Sequence, residues 1–153
     1  MTTIWRHLFV DDLEYAPARD ILSGLSLEHV GTRPNSGVHT VYEELFHAAL
    51  WQRAMLVSAK GGALTEPTDW PPTPAPADKA AWTALVADFL AGTEEAAAVG
   101  EQAERHAEVL PEGRTVRERL ELLAVHNAYH LGKIVSLRQF LGFWPPSDGG
   151  ESL

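Results

Sequence analysis

The segment from residue 115 to residue 141 constrains the fold of this chain more than any other. Its apolar residues recur every three or four positions, which predicts a long helix with one buried face. Thr115 and Glu118 form a capping box at its start, and the proline pair after Trp144 should stop it. The apolar positions are Val116, Leu120, Leu123, Ile134, Leu137 and Leu141. Since no strand pattern appears in the sequence, we expect the partners of this face to be other helices.

Three polar residues interrupt this apolar face in the middle of the predicted helix. The positions where the apolar face should continue hold His126, Asn127 and His130. Burying two imidazoles and an amide costs free energy unless another group pairs with them. Side chains four residues apart project from one face of a helix about 6 Å apart, so both imidazoles can reach a single ion. The pattern therefore favours a metal site inside the protein.

The N-terminal part of the chain predicts a first helix over residues 4–25. Pro17 should kink or split this helix, because proline removes a backbone donor and clashes with the preceding turn. Residues 27–38 are rich in glycine, proline, asparagine and serine, which predicts a loop. At the other end of the chain, residues 147–153 are expected to form a loose tail.

Two further helices are predicted between these regions. One begins at a capping box formed by Thr40 and Glu43 and ends near Lys60, before a pair of glycines. Its inner side carries Val41, Leu45, Ala48, Gln52, Met55 and Leu56, with His47 midway along the helix. The other helix begins after Asp78, which is expected to cap it.

Residues 61–77 separate these two helices and contain half of the ten prolines. Such a segment is expected to be a stiff crossover with Trp70 tucked against the helices. A linker between two domains is the alternative, but neither side alone has enough helix for a core. The sequence thus predicts an all-α fold, a four-helix bundle with a long proline-rich crossover between the second and third helices, in a single domain over residues 1–153.

Composition narrows the classes of partner and compartment. With 21 acidic and 12 basic residues, the chain has a formal net charge of −9, which disfavours binding to nucleic acid. The absence of cysteine excludes disulfides, thiolate metal ligands and cysteine nucleophiles. No signal-peptide pattern and no apolar run of membrane-spanning length is found, so we expect a cytoplasmic protein that does not bind membranes.

The histidine pair acquires a third candidate ligand from the second predicted helix. Three neutral imidazoles, from His47, His126 and His130, with one open coordination position are typical of a catalytic or ligand-exchanging site for zinc or nickel. Asn127 or a carboxylate such as Glu44 is a candidate to orient one of the imidazoles by a hydrogen bond.

Other metal sites fit the sequence less well. A zincin needs a glutamate directly after the first histidine of the pair, where this chain has Asn127. A di-iron bundle needs two Glu-x-x-His pairs, and only Glu44 and His47 supply one, since Leu123 stands where the second glutamate is required. One ion is therefore favoured over two. The histidines at positions 29, 39 and 106 are expected to be solvated surface residues.

At this point the residues resemble the DinB-like or YfiT-like metal-binding bundles. The resemblance covers nearly the whole chain, and it rests on the segment 42–52 around His47 and on the segment 126–134 around His126 and His130. It implies that these three histidines are the metal ligands, that zinc or nickel is the ion, and that the protein forms a homodimer. The main departure is Tyr129, where many members have a second histidine or another polar group.

The resemblance also implies two classes of activity. Some relatives are thiol-dependent transferases or isomerases that act with a low-molecular-weight thiol, and others are presumed hydrolases. The first hypothesis is therefore a metal-dependent enzyme with a small-molecule substrate or thiol. The alternative is a non-catalytic stress-response module that uses the metal structurally or binds a ligand without turnover. A third reading is a helical bundle with satisfied core histidines and no metal.

Overall fold

A computed structural model describes residues 2–12, 14–68 and 70–146 of the chain. Within these ranges the protein is helical and contains no β-strand. The α-helices are α1 (Ile4–Phe9), α2 (Ala18–Ile21), α3 (Leu27–Gly31), α4 (Val41–Ala59), α5 (Lys79–Gly100) and α6 (Val116–Leu141). The all-α prediction is therefore confirmed.

The ends of the long helices are defined by the residues that the sequence indicates. Thr40 and Thr115 accept hydrogen bonds from the backbone three residues on, and the glutamates at those positions bond back, so both capping boxes are formed. Asp78 accepts a hydrogen bond from the backbone of Ala81 at the start of α5. At the end of α6, Gly142 adopts the left-handed conformation with a φ of 82°, which places its N–H on the last carbonyls of the helix.

The N-terminal region differs from the prediction of one long helix. Instead of a helix over residues 4–25, the chain forms the short helices α1 and α2, and Pro17 is the N-cap of α2. The predicted loop over residues 27–38 begins with α3, so this part of the prediction was wrong. The cap of α3 uses Ser26 with His29 as the reciprocal partner, and histidine is not one of the residues that usually identify a capping box. The tail predicted for residues 147–153 lies outside the described residues.

The apolar residues of α6 belong to two separate core clusters. Toward its N-terminus, Leu120 and Leu123 pack with Met55 of α4. Toward its C-terminus, Ile134 packs with residues that include Leu45 of α4. The polar positions 126, 127 and 130 lie between the two clusters in sequence. Because α4 packs against both α5 and α6, His47 on α4 approaches these positions from the neighbouring helix.

The proline-rich segment 61–77 contains no helix or strand in its described part and lies against the start of α4. Thr40 donates a hydrogen bond from its hydroxyl to the carbonyl of Pro74 at 2.6 Å. Close by, a Cβ on Gly31 would come within 2.8 Å of the Cβ of Ala75, so the chain passes over α3 at a position that needs glycine. None of the helices in the described ranges combines the length and low polarity needed to cross a lipid bilayer.

Candidate metal centre

Three histidines from α4 and α6 converge in the middle of the protein. One candidate ligand nitrogen from each of His47, His126 and His130 lies within 4.8 Å of the others. The ring centroids are 5.5 Å apart for His47 and His126, 4.7 Å for His47 and His130, and 4.6 Å for the pair on α6. His130 is buried and the other two are half-buried. A cluster of this size could hold one metal ion.

The ring of His130 is held by a buried carboxylate. Nδ1 of His130 lies 2.7 Å from Oε2 of Glu44, whose residue surface is only 1% exposed. If Nδ1 carries the proton and donates it to this carboxylate, the lone pair of the neutral ring is on Nε2, which is then the atom available to an ion. The structure thus places Glu44, one of the two residues expected to orient an imidazole, in contact with His130.

A lysine ammonium and a second imidazole contact the other oxygen of this carboxylate. Nζ of Lys133 lies 2.8 Å from Oε1 of Glu44, and Nδ1 of His39 lies 3.4 Å from the same oxygen. Burial alone would raise the pKa of Glu44, but the hydrogen bonds from His130 and Lys133 outweigh it, so its pKa is lowered from the ordinary value. Glu44 is therefore an anion at neutral pH, and both of its oxygens are engaged by protein groups.

His126 differs from His130 in having no such anchor. Among the described residues, its Nδ1 is one of two buried side-chain polar atoms without a hydrogen-bond partner. Burial, with the nearby rings of His130 and His47, lowers the pKa of His126 from 6.5 to about 4. The imidazole is thus neutral at pH 7, which is the form that binds metal ions.

The second unpaired buried atom, Oδ1 of Asn127, lies at the end of a chain of amides. Gln52 donates from Nε2 to the carbonyl of Phe89 at 2.8 Å, and its Oε1 accepts from Nδ2 of Asn127 at 2.7 Å. Since a carbonyl can only accept, the orientation of both amides is determined by this chain. Gly92 makes room for it, because a Cβ there would lie 2.1 Å from Nε2 of Gln52. Asn127 interacts with His126 and slightly offsets the lowering of its pKa, although neither Nδ1 of His126 nor Oδ1 of Asn127 has a partner in hydrogen-bond geometry within the described part of the chain.

An aromatic side chain from the proline-rich segment covers one side of the histidine cluster. The ring of Trp70 stacks on His47 with centroids 4.4 Å apart, and it also stacks on His39 at 3.5 Å. The expectation that Trp70 lies against the helices is therefore confirmed, and its position over a candidate ligand is new. His39, expected to be a solvated residue, is half-buried between Trp70 and Glu44.

The other two histidines expected at the surface are also half-buried. His29 stacks on Phe143 with ring centroids 4.1 Å apart. Nε2 of His106 lies 2.7 Å from the carbonyl of Gly100, and its ring meets Trp5 edge to face. No periodic pattern in the sequence indicates these contacts, because each joins residues from different elements or loops. Lys133, by contrast, lies one turn after His130, and this spacing places it near the same face of α6.

The fold and the site together define a class of protein. It is a helical protein in which α4 and α6, packed against each other, bring three histidines to a position that could hold a metal ion. The family model of the DinB superfamily matches residues 12–134. This match spans most of the chain and includes all three histidines, so the chain belongs to the DinB superfamily. Comparison with the curated proteins and with the solved structures found no match.

Proposed function

We propose that the protein binds one divalent ion, zinc or nickel, through His47, His126 and His130. The observation that carries this proposal is the convergence of three imidazole nitrogens within 4.8 Å of one another. The buried, unpaired Nδ1 of His126 supports it, since a buried polar atom without a partner costs about 1–3 kcal/mol unless something binds there. Neutral imidazole is a preferred ligand of both metals.

Three protein ligands leave a coordination position for an exogenous molecule. Glu44 is poorly suited to fill it, because its two carboxylate oxygens already accept hydrogen bonds from His130 and Lys133. A zinc or nickel ion at this position would supply Lewis acidity and lower the pKa of a bound water or thiol. The protein's part is to keep His126 neutral by burying it, to orient His130 through Glu44 and to limit solvent at His47 through Trp70.

For the activity we propose a metal-dependent enzyme of the thiol-dependent transferase or hydrolase type. The chain has no cysteine, so the thiol in the first case must be a small molecule. The second candidate is a module that binds metal or ligand without turnover, and the stacking of Trp70 on His47 favours it because the ring narrows access. We further propose that the scaffold is a single four-helix bundle with residues 61–77 as its crossover, and that it acts as a homodimer.

The binding proposal is tested by elemental analysis of protein purified without added metal. We expect one zinc or nickel ion per chain in the wild type and almost none in His126→Ala. His29→Ala is the matched control, because it removes a half-buried histidine outside the cluster and should keep the ion. The proposal fails if the wild type stays metal-free after incubation with zinc and nickel, or if His126→Ala retains the ion.

The two candidate activities are separated by a second measurement on the same variants. A metal-dependent enzyme should transfer a small thiol to an electrophile, or hydrolyse an ester or amide, and should lose this activity in His130→Ala while circular dichroism shows an intact helical fold. Activity that survives in His130→Ala excludes metal catalysis. If the wild type binds metal but turns over none of these substrates, the binding module is supported.

A further inference from the structure

A cavity of about 580 Å³ lies beside the histidine cluster, between the loop that precedes α4 and the C-terminal half of α6. Its size is within the range of small-molecule sites. Glu44 forms part of its lining, and the same carboxylate contacts His130, but none of the three histidines lines the cavity. The cavity therefore lies next to the candidate metal centre, and a small molecule could bind in it whether or not an ion is bound.

Gly132 lies on the lining of this cavity, well inside α6. Glycine in a helix interior costs about 1 kcal/mol relative to alanine, so its presence needs a reason. Packing does not supply one, because a Cβ at this position would meet no atom within 4 Å. By contrast, a Cβ on Gly92 or Gly100 would collide with a neighbouring side chain. What glycine preserves at position 132 is the open space of the cavity itself.

The walls of the cavity are mainly apolar and include aromatic rings. Val38 and Leu137 line it, together with Tyr129 and Phe140. Phe140 is 81% exposed and Tyr129 is 62% exposed, although both are large aromatic residues. Exposed aromatic side chains that border a concave surface are typical of a site for an apolar ligand.

The polar groups of the cavity mostly offer donors to a ligand. Lys133 has three N–H donors, one of which contacts Glu44, and its side chain is 39% exposed. The carbonyl oxygen of Asn35 accepts from the backbone of Gly37, so the amide NH₂ remains as its donor. The hydroxyl of Ser136 donates to the carbonyl of Gly132, so it can act toward a ligand only as an acceptor.

We propose that this cavity binds a small carboxylic acid with an aromatic or other apolar body. The carboxylate would be held by the ammonium of Lys133 and the apolar body by the walls near Val38, Leu137 and Phe140. Glu44 accepts a hydrogen bond from one of the three N–H groups of Lys133, so the other two remain for the carboxylate of a ligand. The proposal goes beyond the proposed function, because none of the three histidines lines the cavity and binding there does not require an ion.

The test uses 2-naphthoate and its uncharged counterpart 2-naphthamide as probes in calorimetric titrations of the full-length protein. Each titration is done on protein as purified and again after chelation, so that binding to an ion is recognised. We expect the acid to bind at least ~10-fold more tightly than the amide in both preparations, because a charge-assisted bond is formed with Lys133. Lys133→Met should remove this preference, whereas the control Lys60→Met, at an exposed pair with Glu95, should keep it.

Substitutions of Gly132 test whether the open volume of the cavity is needed for binding, whereas Lys133→Met tests the charge. Gly132→Val should weaken both probes at least ~10-fold. Gly132→Ala, which favours the helix, should weaken them less while raising the melting temperature. The proposal is overturned if neither probe binds saturably, if acid and amide bind equally well to the wild type, or if both Gly132 variants bind like the wild type. Metal content is measured on the same samples. A wild type that stays metal-free after incubation with zinc and nickel but still binds the probe refutes only the metal proposal.

Discussion

Buried polar side chains lie both toward the two ends of α6 and in its middle, and the two groups differ in how their hydrogen bonds are completed. Toward the ends, Arg119 donates to the carboxylate of Glu112, and Arg138 donates to the carbonyls of Ile21, Ser23 and Phe143. In the middle, Nδ1 of His126 and Oδ1 of Asn127 are the buried side-chain atoms without a partner among the described residues.

This difference distinguishes side chains that stabilise the fold from side chains whose polar atoms are available to a ligand. A buried donor that is fully paired joins distant segments, and its removal leaves the partner groups unsatisfied. A buried atom that is left unpaired lowers stability, and such a cost is tolerated where a site needs it. We therefore expect substitutions in the two groups to change the free energy of unfolding in opposite directions.

The largest effect is expected at Arg138, which is 1% exposed. Arg138→Met keeps the length of the side chain but leaves the carbonyls of Ile21, Ser23 and Phe143 without this donor. We expect the free energy of unfolding to fall by about 2–4 kcal/mol in urea denaturation. Arg53→Met is the control, since it breaks only an exposed pair with Asp88 and should cost less than about 1 kcal/mol. Equal losses in the two variants would contradict the structural role of Arg138.

Replacing His126 or His106 by leucine should have a smaller effect on the free energy of unfolding, and the sign of the effect should differ between the two variants. In metal-free protein, His126→Leu removes the unpaired Nδ1 and should raise the free energy of unfolding by up to ~1 kcal/mol. His106→Leu removes a ring that contacts the carbonyl of Gly100, and it should lower the free energy of unfolding by about 1 kcal/mol. Thermal unfolding after chelation measures both. Destabilisation of similar size in the two variants would show that His126 is a structural residue.

The smallest effect is the pH dependence of stability that arises from Glu112, the carboxylate paired with Arg119. Ser58 donates a hydrogen bond to Glu112, and this bond together with Arg119 lowers the pKa of Glu112 below its ordinary value of 4.5. Because the folded pKa is the lower one, this contribution to stability is complete above pH 4.5 and is lost as the pH falls through the folded pKa. Acid unfolding followed by circular dichroism should show the loss in the wild type. Ser58→Ala should reduce it and Glu112→Gln should abolish it, whereas an unchanged profile in Glu112→Gln would refute the assignment.

Much of the helical layout could be predicted because its determinants are local. The capping boxes at Thr40 and Thr115 and the apolar face of α6 are read from residues within a few positions of one another. The approach of the three histidines could be predicted as well, since positions 126 and 130 share a face and His47 lies midway along a second amphipathic helix. The identity of the ion and the reaction stay predictions.

The N-terminal region and the surroundings of the cluster could not be predicted in the same way. The helix α3 uses His29 in its cap, and a histidine at that position carries no general signal. His39 and Trp70 come from segments without periodicity, yet Trp70 stacks on His47 and His39 stacks on Trp70. Their positions follow from contacts between distant parts of the chain, such as the bond from Thr40 to the carbonyl of Pro74.

The sequence by itself determined where the long helices begin and end and which of their faces is apolar, because backbone capping and helical periodicity act over a few residues. Only the tertiary structure decided which buried polar atoms have a hydrogen-bond partner and which do not. The anchoring of His130 by Glu44, the unpaired Nδ1 of His126 and the open space beside Gly132 each depend on how α4, α6 and the loops pack together. Hydrogen bonding between residues far apart in sequence is a property of that packing, and no local pattern encodes it.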